Sequence, residues 1–491
     1  MNDFVFSLML LGALSSSGTL PFWAVSNTAG IMPDRDGGLA LLEARKPFDE
    51  SKTFQWQAGA SLAASYQSVD PLDLSGMPLR PMVDELYAGL RWQVLRIDVG
   101  MQHRDREFLG ADPSLGSLSV TEGHIVESNN ARTMPGYKLV LEPWAIPFTG
   151  KHLLISGVWG DYKTLDDRYV DGALVHRLRG YLTYDTRKHF YLQVGLDHYA
   201  LWGGTSPLYG EMPITWDNYF RVATARHASS AGSISDQMNV IGDHGGAEQL
   251  RMGWKADKYD ITFQWEKPYS DKSGMRFNNI PDGAYTLHFS LKDKDRWISD
   301  ALVEFHYTMW QSGTLHERET DAEGHQINWH TLDKDKKINI FGGDNYFTNG
   351  EYKSGWTHFG RGICAPLFYT DVVSGVKKVV NNRYKALHLG VSGKLFRVAP
   401  YRLMLTLSED YGTYHRPYVA GATSWNSGWN WWEPNTLDKG LTQFSAAFSG
   451  YVPFRFGCHS ALDVVYGLYA DAGEVLPKAF AGTLGIRYNF R

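Results

Sequence analysis

With 491 residues, the chain is long enough for several soluble domains or one large barrel, and its 14% of aromatic residues suits surfaces that are half apolar and half hydrated. The formal net charge of -5, without a long lysine and arginine block, excludes nucleic acid as an expected partner. No apolar run is long enough for a membrane-spanning helix, and two cysteines, Cys364 and Cys458, are too few for a disulfide framework or a thiolate metal site.

The first segment, FVFSLMLLGALSSSG at positions 4–18, has two interpretations. Its apolar character resembles the core of a signal peptide, but Asp3 precedes it and the first basic residue is Arg35, whereas a secretory n-region is positive. We therefore favour residues 1–18 as the first strand of the mature protein over a remnant of a signal peptide.

From there to the last residue, apolar and polar residues alternate with a period of two, which is the pattern of strands with two different faces. Examples in chain order are 54–63, 86–93, 95–102, 401–408 and 462–469. The polar faces carry Arg, Asp, Glu, Gln and His in mid-strand, and no long helical pattern intervenes.

The pattern is clearest in the hairpin 259–291. On the apolar side of its first strand lie Tyr259, Ile261, Phe263 and Trp265, and on the polar side lie Asp260, Thr262, Gln264 and Glu266. A soluble sandwich would bury the apolar side in a protein core, whereas a membrane barrel would turn it towards lipid and leave the polar side in the lumen.

Strand length and number separate these possibilities. The sequence accommodates about 16 to 18 segments of roughly 9 to 11 residues, the length that crosses a bilayer at a tilt of about 45°, whereas soluble strands usually have about 5 to 6 residues. We predict an all-β protein that forms a single closed antiparallel transmembrane β-barrel of about 18 strands over residues 1–491, with long extracellular loops. Its expected location is the outer membrane of a Gram-negative bacterium.

The C-terminal sequence AGTLGIRYNFR agrees with this prediction. One face of the predicted last strand carries Leu484, Ile486, Tyr488 and Phe490, an amphipathic pattern similar to the assembly signal of outer-membrane proteins. Arg491 follows the final aromatic residue, where many such proteins end.

The hairpin loop, YSDKSGMRFNNIPDGAYTL at 269–287, resembles the D-G-S-G-x-R-x-x-N-x-P-D-G-x-x-G-x pattern of the capsule-assembly Wzi family, particularly its Bacteroidetes-type members. The matching residues are Asp271, Ser273, Gly274, Arg276, Asn279, Pro281, Asp282 and Gly283. Other stretches resemble the family in the same order, among them LPFWAVSNTAG at 20–30, GLDHYALWGG at 195–204 and DNYFTNGEYKSGWTHFGR at 344–361.

The resemblance implies an outer-membrane barrel of 18 strands that binds or organises capsular or other surface polysaccharide, as a lectin-like protein and not as an enzyme. The implied partners are that polysaccharide, outer-membrane lipid and, during biogenesis, the barrel assembly machinery. Enterobacterial members carry a helical bundle ahead of the barrel, whereas this chain enters strands almost at once. Cys364 and Ala365 also stand where a glycine-containing turn is expected. The bound polysaccharide is therefore not transferred from those members.

The densest aromatic cluster, TSWNSGWNWWEP at 423–434, is the first candidate glycan site. Sugar C–H faces stack on indole rings, while amides and carboxylates bind hydroxyl groups. The candidates are Trp425, Trp429, Trp431, Trp432 and Glu433. The alternative is that these indoles belong to an interfacial belt or fill the lumen.

A second candidate is the charged loop that contains Asp271, Arg276 and Asp282, because arginine suits bidentate contact with the carboxylate of an acidic sugar. The alternative, which we favour, is that Arg276 pairs with one of these aspartates and orders the loop. Trp202, before the expected bend at Gly203 and Gly204, is a third and weaker candidate.

The usual enzyme motifs H-E-x-x-H, G-x-S-x-G and the P-loop are absent, and the 17 histidines lack metal-site spacing. We therefore expect no catalytic residue, no metal site and no cofactor. Two alternatives to a polysaccharide-binding barrel remain open: a porin-like diffusion channel with the same polar lumen, and a membrane-embedded hydrolase.

Overall fold

The computed structural model describes residues 4–68, 78–226, 241–270, 272–275, 277, 279–311, 345–414, 416–419, 439–456 and 460–490. Within them the main sheet has 18 strands. In chain order these are β1 (Val5–Ser15), β2 (Gly37–Lys46), β3 (Phe54–Gln67), β4 (Leu79–Trp92), β5 (Leu95–Met101), β6 (Gly136–Ala145), β7 (Leu153–Lys163), β8 (Leu174–Asp185), β9 (Phe190–Trp202), β10 (Asp243–Lys255), β11 (Tyr259–Tyr269), β12 (Gly283–Leu291), β13 (Asp300–Tyr307), β14 (Arg383–Leu395), β15 (Ala399–Gly412), β16 (Leu441–Phe456), β17 (Ser460–Gly473) and β18 (Ala479–Phe490).

The sheet closes because β1 pairs with both β2 and β18. Val5 lies opposite Arg45 in the first of these antiparallel pairs, and Phe6 lies opposite Phe490 in the second. Each remaining strand pairs with its sequence neighbours. Closure leaves no edge strand, so the backbone groups of the wall are hydrogen-bonded without water. The predicted closed antiparallel barrel is confirmed.

The two faces of each strand have separate environments. On β11, Gln264 and Glu266 point into the barrel and are buried, whereas Ile261 is exposed on the outer surface. The neighbouring β12 turns Leu287 outward in the same way. The polar face of the hairpin is therefore the inside, as the sequence predicts for a membrane barrel.

The two ends of the barrel also differ. One end, the short-turn end, has connections such as 93–94, 186–189 and 396–398, and the other, the long-loop end, has connections such as 102–135, 203–242 and 308–382. Exposed aromatic side chains surround the short-turn end, among them Trp92, Tyr184, Trp254, Phe289 and Phe396. Such a girdle marks a membrane interface in transmembrane barrels.

Helices in the described residues are short: α1 (Phe22–Val25), α2 (Trp216–Ala223) and α3 (Lys272–Met275). None of them is long and apolar enough to cross a membrane. The sequence interpretation missed α2, although its start carries a recognisable signal. Thr215 is its N-cap and accepts a hydrogen bond from the Asn218 backbone at 3.2 Å.

We expect the variant Val303→Arg to destabilise the barrel by about 2–4 kcal/mol, because an arginine near the bilayer centre must leave water. Val303 lies on the outer face of β13, opposite the equally exposed Leu287 and Leu389. Equilibrium unfolding from phospholipid vesicles measures the change, and Val303→Leu is the matched control. Equal stability of the two variants would place this surface outside the hydrocarbon region.

Candidate functional site: the occupied lumen

Three inward-folded segments, 20–32, 106–134 and 345–382, fill the central part of the lumen, and we call them the plug. Within the third segment, the hairpin Thr370–Val379 lies at the surface of the plug and exposes Val372. The apolar side chains of the plug form a continuous core with inward-facing wall residues. Fully buried members include Val120, Ile125, Val126, Trp356, Ile363, Cys364 and Ala365 from the plug and Ala284 from the wall. This part of the lumen therefore has the packing of a protein interior and not of a hydrated pore.

The polar face of the wall binds the plug backbone. Glu266 accepts a hydrogen bond from the Ile125 amide at 3.1 Å, and Glu304 accepts one from Val120 at 3.2 Å. The Gln264 amide donates to the Gly123 carbonyl at 2.9 Å. Since a buried backbone group without a partner costs about 1–3 kcal/mol, these side chains satisfy groups that the plug cannot pair within itself.

The plug segments also bind one another. The Trp356 indole donates to the Val126 carbonyl at 2.6 Å, and the Ala365 amide donates to Ile125 at 3.0 Å. The ring of Trp356 stacks on Tyr199 of β9, with 3.9 Å between centroids. The plug is thus one packed unit that is attached to the wall.

Ion pairs form a second attachment on the β8–β10 side. Glu127 of the plug lies between Arg177 and Arg179 of β8, and both arginines also pair with Asp197 of β9. Glu107 pairs with Arg251 of β10. Burial alone would raise the pKa of Glu107, but Arg251 together with His124 holds it down to about 2. Glu107 is therefore ionised at neutral pH.

A β-bulge turns two consecutive carboxylates into the lumen. Ser61 of β3 pairs with Glu85 and Leu62 pairs with Val83, so that Asp84 is the extra residue and both acidic side chains point inward. Together with His103 they offer three ligand atoms within 4.8 Å of one another. The sequence interpretation did not anticipate this cluster. Its groups already have protein partners: Asp84 binds Ser61 and His103, and Glu85 pairs with Arg45.

The short-turn end of the lumen is less filled than its central part. A cavity of about 720 Å³ lies there between the plug and the ends of the strands. Its charged lining includes Arg45, Asp112, Lys394, Arg455, Asp463 and Arg487. The lumen therefore has a polar vestibule on one side of the plug.

Asp282 connects two loops at the long-loop end. Its carboxylate is buried and accepts hydrogen bonds from the Trp310 amide at 2.9 Å, the Gln311 amide at 2.7 Å and the Tyr346 hydroxyl at 2.7 Å. These contacts, which shield the carboxylate from solvent, join the loop to the connection 308–382. The predicted pairing with Arg276 lies outside the described residues.

Trp202 lies on the outer face of the barrel and is also buried, with its ring 5.9 Å from that of Tyr219 in α2. Outside the described residues lie Trp425, Trp429, Trp431, Trp432, Glu433, Asp271 and Arg276. The structure thus brings none of the predicted glycan residues together at an open surface within the described part of the chain.

The sequence leaves open whether the lumen is open or filled, and it does not identify the plug segments or the role of Gln264, Glu266 and Glu304. The available signal is the charge in mid-strand, which the sequence interpretation assigns to the lining of a hydrated lumen. Cys364 is a free, buried thiol. Cys458 lies outside the described residues.

The chain matches no protein-family model and no curated protein sequence. Among solved structures it is similar to Wzi of Escherichia coli, an outer-membrane protein involved in group 1 capsule assembly and described as a carbohydrate-binding β-barrel. The TM-score is 0.52 and the identity 10%, over 98% of this chain and 83% of that one. OccK3 (OpdO) of Pseudomonas aeruginosa matches with a TM-score of 0.47 and 10% identity, over 99% of this chain and 96% of that one. OccAB2 of Acinetobacter baumannii matches with a TM-score of 0.44 and 9% identity, over 99% and 98%.

At 10% identity, the similarity to Wzi establishes a shared fold and no more. The closed barrel of 18 strands, its apolar outer surface and the similarity of its fold to that of Wzi define the protein as an outer-membrane β-barrel of a Gram-negative bacterium. In such barrels the short turns are periplasmic and the long loops extracellular. The plug and the Asp282 contacts therefore belong to the extracellular connections, and the vestibule faces the periplasm.

We expect Cys364 in the native barrel to resist a small hydrophilic maleimide, in a Cys458→Ser background, because the thiol is fully enclosed by the plug core. Burial also raises its pKa and thereby suppresses the reactive thiolate. The variant Glu266→Ala leaves the Ile125 amide unpaired. We expect it to speed labelling by roughly 5- to 150-fold, corresponding to about 1–3 kcal/mol of easier plug opening.

Glu409→Ala is the matched control for that experiment, because Glu409 is a strand carboxylate that pairs with Lys385 and makes no plug contact. Rapid labelling of Cys364 in the otherwise native protein would contradict a closed lumen.

We expect the contribution of Asp282 to stability to fall as the pH rises. Burial raises its pKa to about 7, above the ordinary value for an aspartate. A carboxyl group whose folded pKa is raised stabilises the fold fully below its unfolded pKa, about 4, and loses that contribution as the pH rises through about 7. The apparent melting temperature of the wild type, relative to Asp282→Asn, should therefore decrease between about pH 4 and pH 8. A constant difference would contradict the buried environment of Asp282.

Proposed function

We propose that the protein binds or organises capsular or other surface polysaccharide at the extracellular side of the outer membrane, without a catalytic step. The observation that carries the proposal is the occupied lumen. Because an apolar core crosses the barrel, the wall and plug form a rigid support for extracellular loops, which is what a surface receptor requires.

The chemistry of the extracellular side supports this proposal. The Lys353 ammonium lies 4.5 Å from the centroid of the Tyr169 ring in the mouth of the barrel. Such pairs of cations and aromatic rings suit sugars with carboxylate groups. The Trp-rich segment 423–434 lies outside the described residues, in the sequence between β15 and β16, and we propose an extracellular position for it. We propose Trp425, Trp429, Trp431, Trp432 and Glu433 as its glycan contacts, on the basis of sequence. Asp271 and Arg276 are weaker proposals, whereas Asp282 and Trp202 are buried against protein partners and are not proposed as contacts.

Relatedness to the capsule-assembly Wzi family is part of this proposal. It is supported by the ordered sequence stretches and by the similarity of the fold to Wzi of Escherichia coli. That protein is a carbohydrate-binding β-barrel, and the same property is proposed for this chain.

A porin-like channel is the second candidate, and the vestibule of about 720 Å³ favours it. Its lining carries charges of both signs, among them Arg455, Asp112 and Asp463, and would suit small polar solutes that enter from the periplasmic side. Passage would then require displacement of the plug.

We expect the purified protein in detergent to bind immobilised surface polysaccharide. The variants Trp429→Ala and Trp432→Ala should weaken binding by about 0.5–1.5 kcal/mol each, roughly two- to twelve-fold, by analogy with aromatic pairs. Trp297→Ala is the matched control, because Trp297 is an exposed tryptophan in a connection at the short-turn end. Equilibrium binding to a panel of purified polysaccharides measures the effect.

Planar-bilayer recording separates the candidates. The polysaccharide-binding proposal expects no large stable conductance. A large conductance without polysaccharide binding would establish the channel instead, and turnover of a glycan in the panel would establish a hydrolase.

A further inference from the structure

The outer face of the wall carries an unusual polar cluster near its extracellular end. The alternation of β7, β8, β9 and β10 places Asp161, His176, His198 and His244 on the same side as the lipid-facing residues Leu178 and Leu196. The imidazole of His176 lies 2.8 Å from the Asp161 carboxylate, and that of His198 lies 2.9 Å from His244. Charged and polar groups on this surface are costly if they meet acyl chains.

Helix α2 covers this cluster. After the long-loop end of β9, the chain passes over the rim and packs α2 against the outer face of β8 and β9. The Tyr219 hydroxyl donates to Asp161 at 2.9 Å and accepts from the Trp159 indole at 2.9 Å. Val222 is fully buried against Ala200 and Trp202. One side of α2 is therefore part of the wall and shields its polar groups.

The opposite side of α2 is apolar and has no cover within the described residues. Trp216 is 77% exposed and Phe220 60% exposed, and their rings lie 6.4 Å apart. Ile214, just before the helix, is exposed as well. The charged residues Asp217 and Arg221 form an ion pair at 2.7 Å, so their charges compensate each other beside the exposed aromatic rings.

The position of the exposed side of α2 on the outer wall indicates that membrane lipid contacts it. Trp159 and Leu178, which flank the cluster, also line the apolar depression on the outer wall towards the membrane centre. The exposed side of α2 continues that lipid-facing surface towards the long-loop end of β8 and β9. Tryptophan with a neighbouring aromatic ring suits this depth, because such side chains combine apolar area with a polar edge.

We propose that α2 is an interfacial anchor: its outward side, Ile214, Trp216 and Phe220, lies in the lipid of the outer leaflet, and its inward side seals the Asp161–His176 cluster from that lipid. The connection 203–242 thereby contains a membrane-bound element, whereas long extracellular connections are ordinarily expected to lie in solvent. The anchor holds the extracellular rim at a defined depth in the membrane.

Site-directed quenching by lipid tests the proposal. Phe220→Cys in the Cys458→Ser background is labelled with a fluorophore and reconstituted in phosphatidylcholine nanodiscs that contain doxyl-labelled phosphatidylcholine. Two reference positions calibrate the signal: Leu196→Cys on the lipid-facing side of β9, and Val372→Cys in the exposed extracellular hairpin Thr370–Val379. Each labelled protein must retain the heat-dependent gel mobility of a folded barrel.

We expect quenching at Phe220→Cys to equal that at Leu196→Cys and to exceed that at Val372→Cys several-fold. Quenching as weak as at Val372→Cys would overturn the proposal. If chemical cross-linking also yielded dimers, the weak quenching would show that a second copy, and not lipid, covers α2. Trp216→Cys provides an independent position on the same side of the helix, and a lack of quenching there would overturn the proposal in the same way.

Discussion

The pairing of β1 with β18 is the constraint on which the rest of the molecule depends. Once Val5–Ser15 hydrogen-bonds to Ala479–Phe490, the sheet has no edge, and every strand has one face towards lipid and one towards the lumen. Every polar side chain in mid-strand is then directed inward or must be covered. The plug forms hydrogen bonds with the polar side chains that are directed inward. Helix α2 covers Asp161 and His176, which face outward.

Within the barrel, the inward polar groups serve as hydrogen-bonding partners for protein and not for bulk water. Glu266, Glu304 and Gln264 each engage one backbone group of the segment 106–134. The apolar residues of that segment are then free to pack with Trp356 and Ile363. A lumen filled in this way supports extracellular loops more readily than it conducts solutes, which connects the architecture to the proposed binding of surface polysaccharide.

The sequence predicted the wall well because period-two alternation is a local property. The faces of β11 and β12, the strand that ends at Trp202 and the amphipathic last strand could each be identified from neighbouring residues. The plug could not be identified in this way. Its segments have no periodicity, and the partners of Ile125 and Val120 are 141 and 184 residues away in sequence. Asp282 illustrates the same limit, because a turn-like PDG motif does not reveal that its carboxylate binds Tyr346.

The residues alone were enough to predict an all-β transmembrane barrel and the lipid-facing side of strands such as β11, β12 and β18. The folded chain was needed to show that the lumen is occupied, that Glu266 and Glu304 bind a plug and that Trp202 lies beneath a helix on the outer surface. The range of the interactions explains this division. Strand faces follow from the geometry of adjacent residues, whereas the contents of a barrel depend on hydrogen bonds and packing between segments that only closure of the sheet brings together.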